Sequence, residues 1–346
     1  MNTLKYEKAL SPKYIHSIGI EYDIIISEIK QLYIGADTNS FVYEVKSNDC
    51  KKYFMKLRYG DFSISSISIP WFLAEKIGAH IIKPFKTVSG SLYKKNSDHV
   101  MILYPYIQGK SGKVLPFSKN QWIKFGKLMS EIHAVKLPPE LSDVPCETWN
   151  DRWRVQLKEI MQGLNEIGTG NMCDNKYSEL LNDNKKVITE LLETAEQLAA
   201  QIKKQKLNYS LCHADIHAGN ILISGETGEF YIVDWDTLMM APKERDLMFI
   251  GGGVANLWNK EEEEAEFYKG YGRYEDVDLS ILVYYRCDRI IEDLVVYFNQ
   301  FFTENVLEEN QKAILERVGV AFVSGGVVEM AIKAIRKYER GLCDRS

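Results

Sequence analysis

Between Leu211 and Asp236 the chain reads LCHADIHAGNILISGETGEFYIVDWD, and this stretch concentrates side chains able to do chemistry. Asp215 is a carboxylate that can take a proton from an attacking group. Asn220, five positions on, and Asp234 offer hard oxygens of the kind a divalent cation prefers. Two apolar runs, Ile221 to Ile223 and Phe230 to Val233, are joined by a turn holding Gly225 and Gly228 and read as a β-hairpin. Asn220 begins one strand and Asp234 follows the other, so the hairpin brings both to one end, within reach of one cation. A lone HxD or DxD is common in turns and caps. The ordered set His213, Asp215, Asn220, Asp234 and Asp236, with strands between, is much harder to obtain by accident.

The order and spacing match a kinase catalytic loop: an Asp receives the substrate hydroxyl proton, an Asn five residues later holds magnesium, and a second metal-binding Asp follows the next strand. Other elements must then supply the phosphate-binding cation and a roof for the nucleotide. Lys56 sits on an apolar strand among Phe54, Met55 and Leu57. An edge-strand lysine that discourages aggregation would look the same, but beside such a loop Lys56 is expected to bind the α/β-phosphates. Gly35, Thr38, Asn39 and Ser40 fall in a strand-turn-strand position before it, where a phosphate-covering loop belongs, although one glycine alone reads as an ordinary hairpin turn. Tyr104 and Tyr106 follow an apolar strand at the expected adenine-binding hinge, between residues 104 and 112. Glu75 is the acid on the intervening helix, expected between Ile64 and Ile77, that would pair with Lys56.

The surrounding sequence divides into two parts. Residues 1–105 give short β-branched and aromatic runs with one helix, and residues 106–346 are mostly helical apart from the hairpin. Ser118 and Gln121 form a capping box for a helix ending at Leu137, a long helix covers Lys176 to Lys206, Ser280 opens another, and Gly325 and Gly326 break the last. The fold class is α+β: a β-rich nucleotide-binding lobe with one main helix, and a larger helical lobe carrying the catalytic loop and acceptor site.

Composition narrows the partners. The 346 residues carry a net charge of −5, with 45% hydrophobic and 26% charged residues, which excludes a disordered chain and argues against a nucleic-acid-coating protein. The six cysteines are scattered without a CxxC pair, so neither a zinc ribbon nor a disulfide scaffold is indicated. No signal-peptide pattern and no long uncharged apolar run is present, so a cytoplasmic protein without a membrane or nucleic-acid partner is expected, a monomer or weak dimer.

The stretch from Leu211 to Asp236 resembles the signature of the aminoglycoside phosphotransferase family. GADTNSFVYEV with YFMKLRYG, and APKERDLMFIGGGVANLWNK from Ala241 to Lys260, resemble the spectinomycin-directed branch of that family. The resemblance implies a bilobal protein-kinase-like fold, ATP or GTP as donor, Mg2+ held by Asn220 and Asp234, and Asp215 as catalytic base. It also implies a small amine-bearing acceptor, with spectinomycin the leading candidate, and gives Asp246 a structural role tying down the catalytic loop. Choline, homoserine and methylthioribose kinases share the loop and are the alternative.

For the acceptor side the candidates are Asp236, Asp288, Glu292 and Trp258. Asp288 and Glu292 share a helix face and could hold protonated amines, or be neutralised by Arg286 and Arg289. Trp258 reads as a ring-stacking wall or as core. Glu261 to Glu264 read as a solvated helix start capped by Asn259. Two other readings remain: His213, Asp215 and His217 as transition-metal ligands of a hydrolase, and a catalytically silent nucleotide-binding module, which the full set of Lys56, Asp215, Asn220 and Asp234 disfavours.

Overall fold

The computed structural model describes residues 10–34, 39–166, 176–302 and 308–343. Its first part is a helix Pro12–Tyr22 (α1), strands Ile26–Leu32 (β1), Ser40–Ser47 (β2) and Lys52–Tyr59 (β3), a helix Ser65–Lys76 (α2), and strands Lys94–Lys95 (β4) and His99–Pro105 (β5). These strands make one antiparallel sheet in the order β1-β2-β3-β5-β4. Alternation along β3 buries Tyr53, Met55 and Leu57 against Ile18 and Tyr22 of α1, and turns Lys56 and Arg58 together to the opposite face.

The remainder runs Gly109–Ser111 (β6), Lys119–His133 (α3), Arg152–Glu166 (α4), Lys176–Asp183 (α5), Lys185–Ile202 (α6), Ser210–Cys212 (β7), Ile221–Ser224 (β8), Phe230–Ile232 (β9), Met239–Ala241 (β10), Glu244–Leu247 (α7), Glu261–Tyr271 (α8), Leu279–Phe301 (α9), Glu308–Ala321 (α10) and Val327–Cys343 (α11). Strands β6, β8 and β9 form a small sheet, and β7 pairs with β10. The buried apolar residues fall into two clusters, one under the first sheet and a larger one among the helices. Ile69 and Leu73 of α2 and the nearby Ile81 belong to the larger cluster. Ile81 bridges to Ile232, and the Ile232 N–H donates to the His80 carbonyl at 2.8 Å, which ties the segment after α2 to the β8–β9 hairpin.

Several boundaries differ from the sequence reading. The Ser118–Gln121 capping box is present, but α3 ends at His133 rather than Leu137. The long helix from Lys176 is two, because Asn184 leaves the helical conformation and its amide donates to the Leu180 carbonyl at 2.9 Å. Asp278, not Ser280, caps α9 by accepting from the Ser280 and Ile281 N–H groups. Asn259 does not cap α8; its amide donates to Asn256 and to the Gly325 carbonyl, and Lys260 occupies the cap position without a side-chain bond.

Two glycines set the crossing of α3 and α8. A Cβ on Gly126 of α3 would lie 2.0 Å from the Phe267 carbonyl oxygen, and one on Gly270 of α8 would lie 1.9 Å from that of Ile123. Only glycine permits this approach from both sides. It places the end of α3, with His133, beside Tyr271 of α8, an arrangement that reaches the site.

Candidate active site

The segment after β7 is pinned from below. Asp246 of α7, 1% exposed, accepts at Oδ1 from the Ala214 N–H (2.7 Å), and at Oδ2 from the His213 N–H (2.9 Å) and His133 Nε2 (3.0 Å). The other ring nitrogen of His133 accepts from the Tyr271 hydroxyl at 2.8 Å. With the N–H groups of His213 and Ala214 both held, Ala214 adopts a left-handed backbone at φ 66°. Asp234 does the same at φ 65°. Such conformations cost non-glycine residues of order 1–3 kcal/mol and persist where surrounding bonds enforce them.

Asp215 follows directly. Its Oδ1 accepts from Arg289 Nη1 of α9 at 2.7 Å, and its Oδ2 faces Asn220 Nδ2 at 3.2 Å and His217 Nε2 at 3.5 Å. Burial is the largest single influence and would lift its carboxyl, but the Arg289 guanidinium and the other groups facing it together outweigh burial and hold it below its ordinary range. Asp215 is therefore an ionised base at neutral pH. Asn220 also donates to the Asp215 carbonyl at 2.8 Å, and its own carbonyl accepts from the Val233 N–H at 3.0 Å, which sets Asn220 beside Asp234 as the hairpin requires.

His213 and His217 are not available as metal ligands. His213 Nδ1 accepts from the Asp215 N–H at 3.4 Å, so its Nε2 donates to the Val233 carbonyl at 3.0 Å. His217 Nδ1 accepts from the Gly219 N–H at 2.9 Å. Burial drops His217 from the ordinary 6.5 to about 4, so it is neutral. A histidine buried neutral contributes stability that is complete above 6.5 and lost as pH falls toward 4. The full shift corresponds to about 3 kcal/mol. Chemical denaturation at stepped pH should show that loss, and His217→Asn should flatten the profile across this window; an identical profile in the variant would contradict the assignment.

Across the cleft, Lys56 Nζ donates to Asp234 Oδ1 at 3.0 Å and Asp236 Oδ2 at 2.6 Å. Burial works against its charge, and the two carboxylates more than restore it. Arg58, two residues along β3 on the same face, also donates to Asp236. Asp236 is thus engaged with the cations of β3. Glu75 is a correction: its exposed carboxylate pairs with Lys83, and the acids beside Lys56 are Asp234 and Asp236. Burial, then Asp236 and Asp234, push the Tyr104 hydroxyl up, while Tyr106 bonds Glu44, itself 2.6 Å from Lys52. Asn39 precedes β2 and Ser40 opens it opposite the end of β3, with the Asn39 carbonyl accepting from the Tyr59 N–H at 2.8 Å and Ser40 paired with Arg58. Gly35 and Thr38 lie outside the described residues.

On the acceptor side two expectations change. Asp288 is committed to Arg154 of α4, which is 2% exposed and also donates to the Tyr284 hydroxyl at 3.0 Å and to the Asn150 carbonyl at 2.8 Å; the pair joins α4 to α9. Trp258 is 5% exposed and packs with Phe117, Trp122 and Phe125, so it is core and no stacking wall. Arg286 is spent on the Met248 and Ile250 carbonyls. Glu292 is half-buried and lies near Arg289, whose Nε donates to Asp293 Oδ1 at 3.0 Å.

Arg58, Arg154 and the His133–Tyr271 pair escaped the sequence reading, and Arg289, read there only as a neutraliser of Asp288 and Glu292, bonds Asp215 and Asp293 instead. The period of two from Lys56 would have found Arg58, and the i, i+4 spacing would have found Arg289 with Asp293. No local signal joins Arg289 to Asp215, which are 74 positions apart.

The antiparallel sheet, the β8–β9 hairpin and the large helical part define a kinase-like fold, and amicoumacin kinase hAmiN shares it at 14% identity, with a TM-score of 0.62 over 95% of each chain. Within that class the chain belongs to the phosphotransferase enzyme family, whose model matches residues 73–282. It is 35% identical to spectinomycin phosphotransferase APH(9)-Ia, solved with ADP and spectinomycin, with a TM-score of 0.85 over 95% of this chain and 99% of that one. Against the AMP-bound complex of spectinomycin phosphotransferase APH(9)-Ia the values are 33%, 0.81, 94% and 98%. Protein StrN of Streptomyces griseus is 24% identical over 179 residues, 50% of this chain; the chain spans about half the length of that curated relative, 55%. Among the described residues no helix is long and apolar enough to cross a membrane.

Proposed function

We propose that this protein is a nucleotide-dependent kinase that transfers a γ-phosphoryl group to a hydroxyl of spectinomycin or a closely similar aminocyclitol. It would act in the cytoplasm and confer resistance to the drug. The observation that carries the reading is the joining of an ionised Asp215 to Asn220, with Asp234 beside Asn220 and in contact with Lys56, in one cleft. The choice of acceptor rests on the likeness to spectinomycin phosphotransferase along nearly the whole of both chains.

Residues 1–105 would form the nucleotide lobe and residues 106–346 the lobe that carries the base and acceptor site. Asp215 accepts the proton of the attacking hydroxyl and aims its oxygen at the γ-phosphorus. Lys56, with Arg58 beside it, leaves the two aspartates for the phosphates when nucleotide enters. Tyr104 and Tyr106 mark the adenine edge, and Asn39 and Ser40, with Gly35 and Thr38, cover the phosphates. Asn220 and Asp234 provide an amide and a carboxylate oxygen at one end of the hairpin, a hard donor set that suits Mg2+. Bound there, the ion would neutralise charge developing on the phosphates. Glu292 is the acid placed to meet an amine of the acceptor.

The test is resistance: expression in a susceptible bacterium should raise the inhibitory concentration of spectinomycin. An unchanged value, with activity instead on choline, homoserine or methylthioribose, would assign the chain to metabolism.

A further inference from the structure

We propose that Arg289 is a positioning residue for the transfer, fixing one oxygen of the Asp215 carboxylate so that the other is left toward the acceptor hydroxyl. The inference rests on the phosphotransfer reading above. Arg289 is held at three points: Nη1 donates to Asp215 Oδ1 at 2.7 Å, Nε donates to Asp293 Oδ1 at 3.0 Å, and the guanidinium stands 5.6 Å from the centre of the Phe249 ring. The contacts at Asp215 Oδ2, from Asn220 at 3.2 Å and His217 at 3.5 Å, are longer.

An unconstrained carboxylate rotates about its last torsion and exchanges its two oxygens, which is broad and soft for Asp. A planar guanidinium gripping Asp293 with one edge and Asp215 with another removes that freedom. Lysine, a point charge on a flexible stem, cannot make both contacts in one plane. Asp293 sits four residues after Arg289 on α9, so the fork is aimed by the helix itself. The device places the base without touching either substrate, so its loss should appear in the chemical step.

Steady-state transfer to spectinomycin by the full chain tests this. Arg289→Lys should lower kcat about 10- to 100-fold, the scale of a misplacement near 1 Å, with both KM values essentially unchanged. Asp293→Asn should lower kcat less. In an Asp215→Ala background, Arg289→Lys should cost nothing further, because the residue it positions is gone. An unchanged kcat, a raised acceptor KM at constant kcat, or an undiminished loss in that background would overturn the proposal. If the unmodified protein transfers no phosphate to spectinomycin, the functional reading fails separately. The positioning contact is then judged by NMR of the Arg289 Nε–H, identified by its absence in Arg289→Lys: a signal that moves in Asp215→Asn supports it, and one that stays in place overturns it.

Discussion

Asp215→Ala is expected to slow phosphoryl transfer by about 10²- to 10⁴-fold, the range supplied by a positioned general base, while leaving nucleotide affinity nearly intact. The separation follows from the geometry. Lys56, Asp234 and Asp236 form their own cluster across the cleft and share no hydrogen bond with the Asp215 carboxylate. Asn220 keeps its 2.8 Å bond to the carbonyl of residue 215, which the substitution does not remove, so the proposed metal end of the hairpin stays assembled. Arg289 keeps its 3.0 Å bond to Asp293. Labelled-nucleotide transfer and calorimetric titration with ADP would separate the two effects. Transfer near the unmodified rate would remove Asp215 from the chemistry, and lost ADP binding would mean that the two halves of the cleft are not independent.

Asp246→Ala should cost about 3 kcal/mol or more of stability together with most of the activity. The carboxylate accepts from the His213 and Ala214 N–H groups and from His133, all around a residue with 1% exposure. Each buried donor left without an acceptor costs about 1–3 kcal/mol. The left-handed conformation of Ala214 would lose its restraint, and Asp215, the next residue, would move with it. Gly126 and Gly270 let α3 and α8 meet closely, and His133 at the end of α3 bonds Tyr271 of α8 with one ring nitrogen and Asp246 with the other, which links this helix packing to the segment that carries Asp215. Denaturant midpoints and transfer rates should fall together. A variant of ordinary stability and full activity would show that the loop holds itself.

The parts legible in sequence were those set by short-range pattern. The hairpin, the Asp215–Asn220 spacing and the Ser118 cap depend on neighbours within a few residues, and each formed as expected. Glu75 failed because a family-like position on a helix does not fix where a long, exposed side chain points, and Lys83 was closer. Asp288 failed because its neutralising cation comes from α4, and Arg154 is 134 positions away in the chain. Trp258 presents an indole that sequence cannot distinguish as wall or core; three aromatic rings from the segment Phe117 to Phe125 decide it. Asp246 ties down the segment before Asp215 as the family resemblance implied, whereas the contact of Arg289 with Asp215 spans a distance along the chain that no periodicity reports.

The acceptor and the reaction are tested together by one measurement. Purified protein incubated with ATP, Mg2+ and spectinomycin should convert the drug to a product heavier by one phosphoryl group, seen by mass spectrometry, with ADP formed in equal amount. Unchanged spectinomycin in the presence of nucleotide and metal would contradict the account.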